Sequence, residues 1–523
     1  MPTLPVVTLT DHTGRRRTLP SGTPTVLVFT KADCPTCVLS APLVDQFAKA
    51  AAGRADVWVV AQDADGGRTF CDRTGLDLAR LDDSALRVSY TLGIEIVPTL
   101  MLIDGEGTVR RSFEGFDKRD WQRLGDDLAA LTGQPAPAID WTAYPDSRPG
   151  CGSKTVDPSI ADRLAAEAAG SPLRARRIDI AEHDDPFEFL FDQGLTDGLP
   201  VVPPTPERVL RMLAGTRRDA QDVVAVVPPN LAPATVEKVA INAVMAGCKP
   251  EYLPVVLAAT EAVCTDEFNI HGVLATTYFP TPVLIVNGPI RDRIGMNYRG
   301  NALGQGNRAN ATIGRAVQLV IRNVGGGRPG EVDRATLGHP GKFTCCFPEW
   351  EERSPWEPLH VERGFAPDDS VVTVYAGGAP TGFIDQVSRN ARSLATSYGR
   401  TLAAVTHPNL CFHGEIVVVV PPEHVDTFAR DGWTKQQLRA RILEVTTRPA
   451  REWRGDTECA EGIPAALADN LPPDMPLAKF TSPEAITIVV AGGEAGKFGA
   501  FLQPWLSGPM GSVMVSRKID AGG

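Results

Sequence analysis

One short stretch constrains this chain more than any other. Thr25-Val26-Leu27-Val28-Phe29 is a β-branched run, Cys34-Pro35-Thr36-Cys37 follows it closely, and Val38 to Ala51 has the pattern of a helix. A thiol pair between a buried strand and a helix puts Cys34 at the helix N-terminus, where the positive end of the dipole favours thiolate over thiol. The thiolate is the attacking species, and Cys37 is close enough in sequence to resolve a mixed disulfide. A zinc half-site is the alternative, but no second Cys or His pair nearby completes four ligands. The surrounding pattern is consistent. Val57 to Val60 reads as a second strand and Thr99 to Ile103 as a third. The turn Asp104-Gly105-Glu106-Gly107, the strand Thr108 to Phe113 and the helix Asp120 to Leu131 close a small α/β unit.

These residues resemble the thioredoxin superfamily, most closely its peroxiredoxin-type and cytochrome-maturation-type domains. The Cys34-Pro35-Thr36-Cys37 motif and Val97-Pro98-Thr99 carry the resemblance, which covers about residues 3 to 132. It implies a redox-active dithiol/disulfide, a cis Pro98 packed against the thiols, and electrons from an external thiol reductant or a thioredoxin reductase system. Gly66 to Arg87 lengthen the second crossover and bring in Cys71, read as a partly buried free thiol.

Composition bounds the rest. The chain has 523 residues and a net charge of −11, with no basic run. Nucleic acid and anionic membrane surfaces are therefore poor partners, since both need clustered Lys and Arg. No apolar run approaches the ~18 residues of a membrane span; Pro254 to Cys264 is interrupted by Thr260 and Glu261. The start lacks the regions of a signal peptide, so a cytoplasmic location is expected. Ten cysteines are too sparse for a disulfide scaffold. Gln134 to Pro149 is Pro-rich and poor in apolar periodicity. The expected organisation is a thioredoxin-fold domain over residues 1–133, a linker and connecting segment over 134–177, and a large α/β domain over 178–523. The last is one domain or two related halves; a Val-Val-Pro-Pro element at 201–204, 226–229 and 419–422, read as strand then helix start, hints at duplication.

The large region holds suggestive residues rather than decisive motifs. Glu237, Cys248 and Lys249 lie on a helix and the turn after it. His271 stands alone before a strand. Asn297 to Asn310 carries Arg299, Asn301, Arg308 and Asn310 ahead of a helix, which suits an anionic ligand as well as it suits an Asn/Gly turn. Cys345 and Cys346 are adjacent, so in a strand they face opposite ways. The acidic run after them, Glu349 to Glu357, reads as a solvated loop, although Trp350 and Trp356 suggest packing. His407, Cys411 and His413 form a weak metal candidate whose spacing matches no common zinc signature. Ile488 to Phe498 imitates a phosphate-binding loop but has Ala491 for its first Gly and Phe498 for its Ser/Thr, so nucleotide hydrolysis is excluded. Its glycines suggest a tight strand-to-helix turn.

Residues 190 to 520 look like the bacterial family named for a Sec-Gly-Ser-Cys (UGSC) motif. The resemblance rests on Thr196-Asp197-Gly198-Leu199-Pro200-Val201-Val202-Pro203-Pro204-Thr205, on Pro233 to Cys248 and on Ala491-Gly492-Gly493. It implies thiol or selenol redox chemistry on a small molecule. The naming motif maps to Cys151-Gly152-Ser153-Lys154, where Lys154 replaces the resolving thiol. Three functions stay open. In the first, one of Cys151, Cys248, Cys345 or Cys346 attacks a small, anionic substrate and Cys34/Cys37 regenerates it. The second is a lyase or sulfur-transfer enzyme that the thioredoxin-like unit resets. The third is a non-catalytic metal- or thiol-handling protein. An assembly of identical chains is compatible with each.

Overall fold

The computed structural model describes residues 3–181, 183–411, 414–455, 460–508 and 511–520. The chain divides into two compact units, Met1–Ile178 and Asp179–Gly523. Among the described residues no helix is long and apolar enough to cross a membrane.

The first unit has a thioredoxin-like fold. Its strands are β1 (Val7–Asp11), β2 (Arg16–Leu19), β3 (Thr25–Thr30), β4 (Asp56–Ala61), β5 (Ala79–Asp82), β6 (Ile96–Val97), β7 (Thr99–Ile103) and β8 (Val109–Glu114). The main sheet runs β2-β1-β5-β4-β3-β7-β8, with β3, β4 and β5 parallel and β7 antiparallel to β3. Every residue of β3 is buried, as its continuous apolar run requires of a central strand. Alternation along it feeds two cores. Val26 and Val28 pack with Phe47 of α1 (Pro35–Ala50) and Trp121 of α4 (Lys118–Thr132). Leu27 and Phe29 pack with Cys34, Cys37 and Phe70, the last from α2 (Ala64–Thr74). The lengthened crossover is thus a helix plus the extra strand β5, with α3 (Arg87–Thr91) after it, and Cys71 is buried in α2.

Residues 134–177, expected as a connecting segment, are built into this unit. After β9 (Phe116–Asp117), the strands β10 (Ser147–Arg148) and β11 (Cys151–Gly152) pair with β9 and β6, and α5 (Pro158–Ala168) follows. Two-residue strands carry no periodicity, so composition alone reads as linker.

The second unit is α/β and is organised on one seven-stranded sheet. A hairpin, β12 (Val223–Val227) and β13 (Ala232–Thr235), precedes it in sequence. The strands β14 (Thr281–Asn287), β15 (Cys346–Pro348), β16 (Val371–Ile384) and β17 (Ile416–Val420) are followed by a small pair, β18 (Thr447–Pro449) and β19 (Pro476–Ala478), and then by β20 (Ile486–Val490), β21 (Phe498–Pro504) and β22 (Val515–Lys518). The order is β15-β14-β16-β21-β17-β20, with β22 also on β16. Tyr398, Phe428, Phe383 and Phe501 fill one side. The Thr196–Pro200 segment is held by Arg315, whose guanidinium grips Asp197 at 2.8 and 2.7 Å and the Pro200 carbonyl at 3.0 Å.

Two sequence expectations fail here. The three Val-Val-Pro-Pro elements have different settings: 201–204 is irregular, 226–229 leaves β12 for a hairpin, and only 419–422 joins a strand to a helix. They mark no duplication. The glycines after β20 lead into the strand β21 rather than a helix.

Trp121 is fully buried and, among the described residues, its indole N–H has no hydrogen-bond partner. Trp121→Ala is expected to cost about 3–5 kcal/mol in chemical denaturation of the first unit. Trp121→Phe should cost clearly less, because it also removes the orphaned donor. Equal losses would show that the indole N–H carries no penalty.

Candidate functional site: a three-thiol centre

α1 starts at Pro35, which lacks an N–H at a position where none is needed, and Cys34 is its N-cap. The Cys37 amide donates to Cys34 Sγ at 3.4 Å. As a thiol, Cys34 donates to the Val97 carbonyl at 3.4 Å, and the Val97–Pro98 peptide is cis, as the resemblance implies. Both thiols are closed off from solvent, Cys34 at 0% exposure and Cys37 at 1%.

Donors decide which of the two is charged. The Cys37 thiol, donating to Cys34, is the largest influence that lowers Cys34, to about 5; burial opposes it, and the Cys151 thiol and the Cys37 and Thr36 amides add to the lowering. Cys37 is pushed far up, first by being the donor and then by burial. The reduced pair therefore holds its charge on Cys34 and its proton on Cys37.

The third thiol belongs to β11. Cys151 pairs with Val97 and Gly152 with Ile96, antiparallel, on the strand that leads directly into Pro98. Cys151 is half-buried against the same cluster as Cys34 and Cys37. Its thiol donates to Cys34, which raises it above the ordinary range. The strap that carries it is fixed on both sides. Thr36 Oγ1 donates to the Pro149 carbonyl at 2.7 Å, and the Ser153 amide donates to the Glu95 carbonyl at 2.8 Å. Buried Gln62 donates to Ser153 Oγ at 2.6 Å and accepts from the Lys154 amide at 3.0 Å. Lys154 also reaches Asp63 at 2.5 Å, and Thr155 donates to the Ile94 carbonyl at 2.5 Å. Gly150 is required by contact: a Cβ there would meet Ile96 Cγ2 and stand 2.6 Å from the Val97 oxygen. Sequence reasoning named Cys151 but missed Gln62, Glu95 and the strap. The sole signal was the Gly150-Cys151-Gly152-Ser153 run itself.

The other candidates are spread through the second unit. Cys248, Cys345 and Cys346 come together beside the helix Arg308–Asn323. Cys248 Sγ donates to the Thr312 carbonyl at 3.3 Å, and a Cβ on Gly314 would lie 3.0 Å from the Cys345 amide and 3.2 Å from Cys346 Cβ. Burial pushes Cys248 and Cys345 up to about 12 and Cys346 well above the ordinary thiol range, which suppresses thiolate at all three. His271 is exposed on the short helix Ile270–Ala275. Glu237 is buried and accepts from Gln221 at 2.9 Å. Lys249 is exposed at the end of the turn.

In the Asn-rich loop, Asn310 is a brace: it accepts from the Asn297 amide at 3.0 Å and donates to the Asn297 and Ala302 carbonyls at 2.8 and 3.1 Å. Asn301 donates to the Gln305 carbonyl at 2.6 Å, Arg308 to Gly247 at 2.9 Å, and Arg299 stacks 4.8 Å over Trp350. The Gly-rich loop beyond β20 is occupied by its own chain, since Glu423 accepts from the Gly496 amide at 2.6 Å and Tyr298 from Gly492 at 2.9 Å. The acidic run is enclosed, not solvated, at Glu349: its carboxylate accepts from Asn287 at 2.7 Å and from the Leu359 amide at 2.8 Å, while burial raises it. His407 and Cys411 are described, and His413 lies outside the described residues. Among the described residues no group of three or more His, Cys, Asp and Glu side chains is placed to hold a metal ion.

Absorbance of the reduced chain at 240 nm, which follows thiolate, is expected to rise with a midpoint near pH 5. The signal is present above that pH and lost as pH falls through it. Cys34→Ser should remove the step, and Cys37→Ala should move it upward. A step only near the ordinary thiol value of about 8.5 would remove the charge asymmetry.

Residues 3–128 match the Redoxin family. An exposed lipoprotein thioredoxin (Etrx1) of Streptococcus pneumoniae is 26% identical, covering 24% of this chain and 100% of its own, with a TM-score of 0.21. A secreted disulfide oxidoreductase of Mycobacterium tuberculosis, described as homologous to DsbE of E. coli, is 23% identical over 24% of this chain and 96% of its own, TM-score 0.21. StoA of Bacillus subtilis is 20% identical over 24% and 97%, TM-score 0.22. No curated protein matches.

Proposed function

We propose that this chain, whose first unit is a Redoxin-type thioredoxin-like domain, is a thiol-dependent oxidoreductase. A cysteine outside the Cys34/Cys37 pair reacts with a small, anionic substrate, and the dithiol regenerates that cysteine by disulfide exchange. The observation that carries the reading is the division of charge: a thiolate at Cys34, capping α1, beside a protonated Cys37. Cys34 attacks the oxidised sulfur, and Cys37, on losing its proton, attacks Cys34 and leaves the pair as a disulfide. An external thiol reductant or a thioredoxin reductase system returns it to the dithiol. The resemblance of residues 190 to 520 to the UGSC family supports small-molecule redox chemistry in the second unit, where Arg299 and Arg308 supply positive charge around one loop. The sparse cysteines support a cytoplasmic site of action.

The reduced, desalted full chain is expected to reduce oxidised glutathione, and Cys34→Ser should lower that rate at least about 100-fold. Stopped assays that follow released thiol measure it. An unchanged rate in Cys34→Ser would overturn the reading.

A further inference from the structure

Cys34 is closed to solvent, yet the chemistry assigned to it requires contact with an oxidised sulfur. The strap packs Cys151 against the same cluster of buried residues that holds Cys34. Cys151 lies opposite the Val97 whose carbonyl accepts from Cys34 and, unlike Cys34 and Cys37, it keeps part of its surface in solvent. The strap is held on one edge by Thr36 and on the other by Glu95, Gln62 and Asp63, so its position is built rather than incidental. An incoming disulfide meets Cys151 first.

We propose that Cys151 is the entry thiol of a three-cysteine relay, with a Cys34–Cys151 disulfide as its central intermediate. This deepens the reading above and rests on it. Cys151, after giving up its proton, attacks a small disulfide RSSR, forms Cys151–S–SR and releases one RS⁻. Cys34 thiolate then attacks Cys151 Sγ, breaking the bond to the second RS⁻ and forming the Cys34–Cys151 bond. Cys37, losing its proton, attacks Cys34 Sγ and sets Cys151 free as thiolate, which regains a proton. With one proton from Cys37 and one from solvent, one RSSR has become two RSH, and the Cys34/Cys37 pair has become a disulfide. The antiparallel pairing with Val97 holds Cys151 in register beside Cys34 through each step.

The test uses the full chain and oxidised glutathione. In Cys37→Ala the last step is blocked, so non-reducing digestion and mass spectrometry should show a Cys34–Cys151 disulfide as the dominant product. Glutathione retained on Cys34 with Cys151 free would overturn the relay. Cys151→Ser is expected to slow glutathione reduction about tenfold or more, while chemical oxidation still closes Cys34–Cys37. Gly150→Ala keeps all three thiols but crowds the strap off β6, and should lower the yield of the trapped disulfide made in the Cys37→Ala background. If Cys151→Ser turns over at the parental rate, the relay fails and the dithiol reading stands. Undiminished rates in both Cys34→Ser and Cys151→Ser would remove both.

Discussion

A negative charge inside a dry core is the constraint on which the first unit turns. Cys34 has no solvent exposure, and a bare thiolate there would be expelled as thiol. What keeps it charged is a set of donors aimed at one sulfur: the Cys37 thiol, the Cys151 thiol, and amides of the first turn of α1. The helix supplies the amides because Cys34 is its N-cap. β3 and β6 supply the walls. The strap adds a donor while keeping water out, so dryness and charge coexist in one place. Each donor removed moves the Cys34 thiol back toward its ordinary value.

The thiols of the second unit show the converse. Cys248 and Cys346 are buried and Cys345 is half-buried, and burial is the largest influence on each of them. Cys248 even spends its proton on a carbonyl. Burial alone therefore says little about reactivity; the partners decide its sign. Where the second unit does hold charges inside, it pairs them. Arg291, 2% exposed, bonds Glu352 at 2.7 Å and lies 3.2 Å from Glu351, and Lys435 reaches Glu362 at 3.2 Å. Such clusters fix loops to helices and need no substrate to explain them.

Much of this architecture was legible in the sequence where one residue type repeats over a whole element. β3, β4, β7, β14, β17 and β20 are runs of Val, Ile and Leu, and burial on both faces follows from composition. The dithiol and Pro98 were legible because spacing places them between a strand and a helix. The strap was not, because its meaning lies in pairing across about fifty residues with a two-residue strand. Nor was the full length of β16: Gly377, Gly378 and Pro380 break its apolar pattern where the strand bulges against β21. The acidic stretch around Glu349 misled for a related reason. The groups that accommodate it, Asn287 and Lys435, come from distant parts of the chain.

The register of Cys151 on Val97 also has a mechanical side. A covalent bond from Cys151 to Cys34 would close a loop on the order of 100 residues, a constraint that removes ~4–5 kcal/mol of freedom from the unfolded chain. The first unit from α1 through β11 lies inside that loop, with β1, β2, β3 and α5 outside it. The bond to Cys37, by contrast, encloses two residues and constrains almost nothing beyond the first turn of α1. The same two-electron oxidation, held in one bond or the other, thus leaves the unit with very different resistance to unfolding and to proteases. Redox state would be written into the durability of the domain as well as into its reactivity.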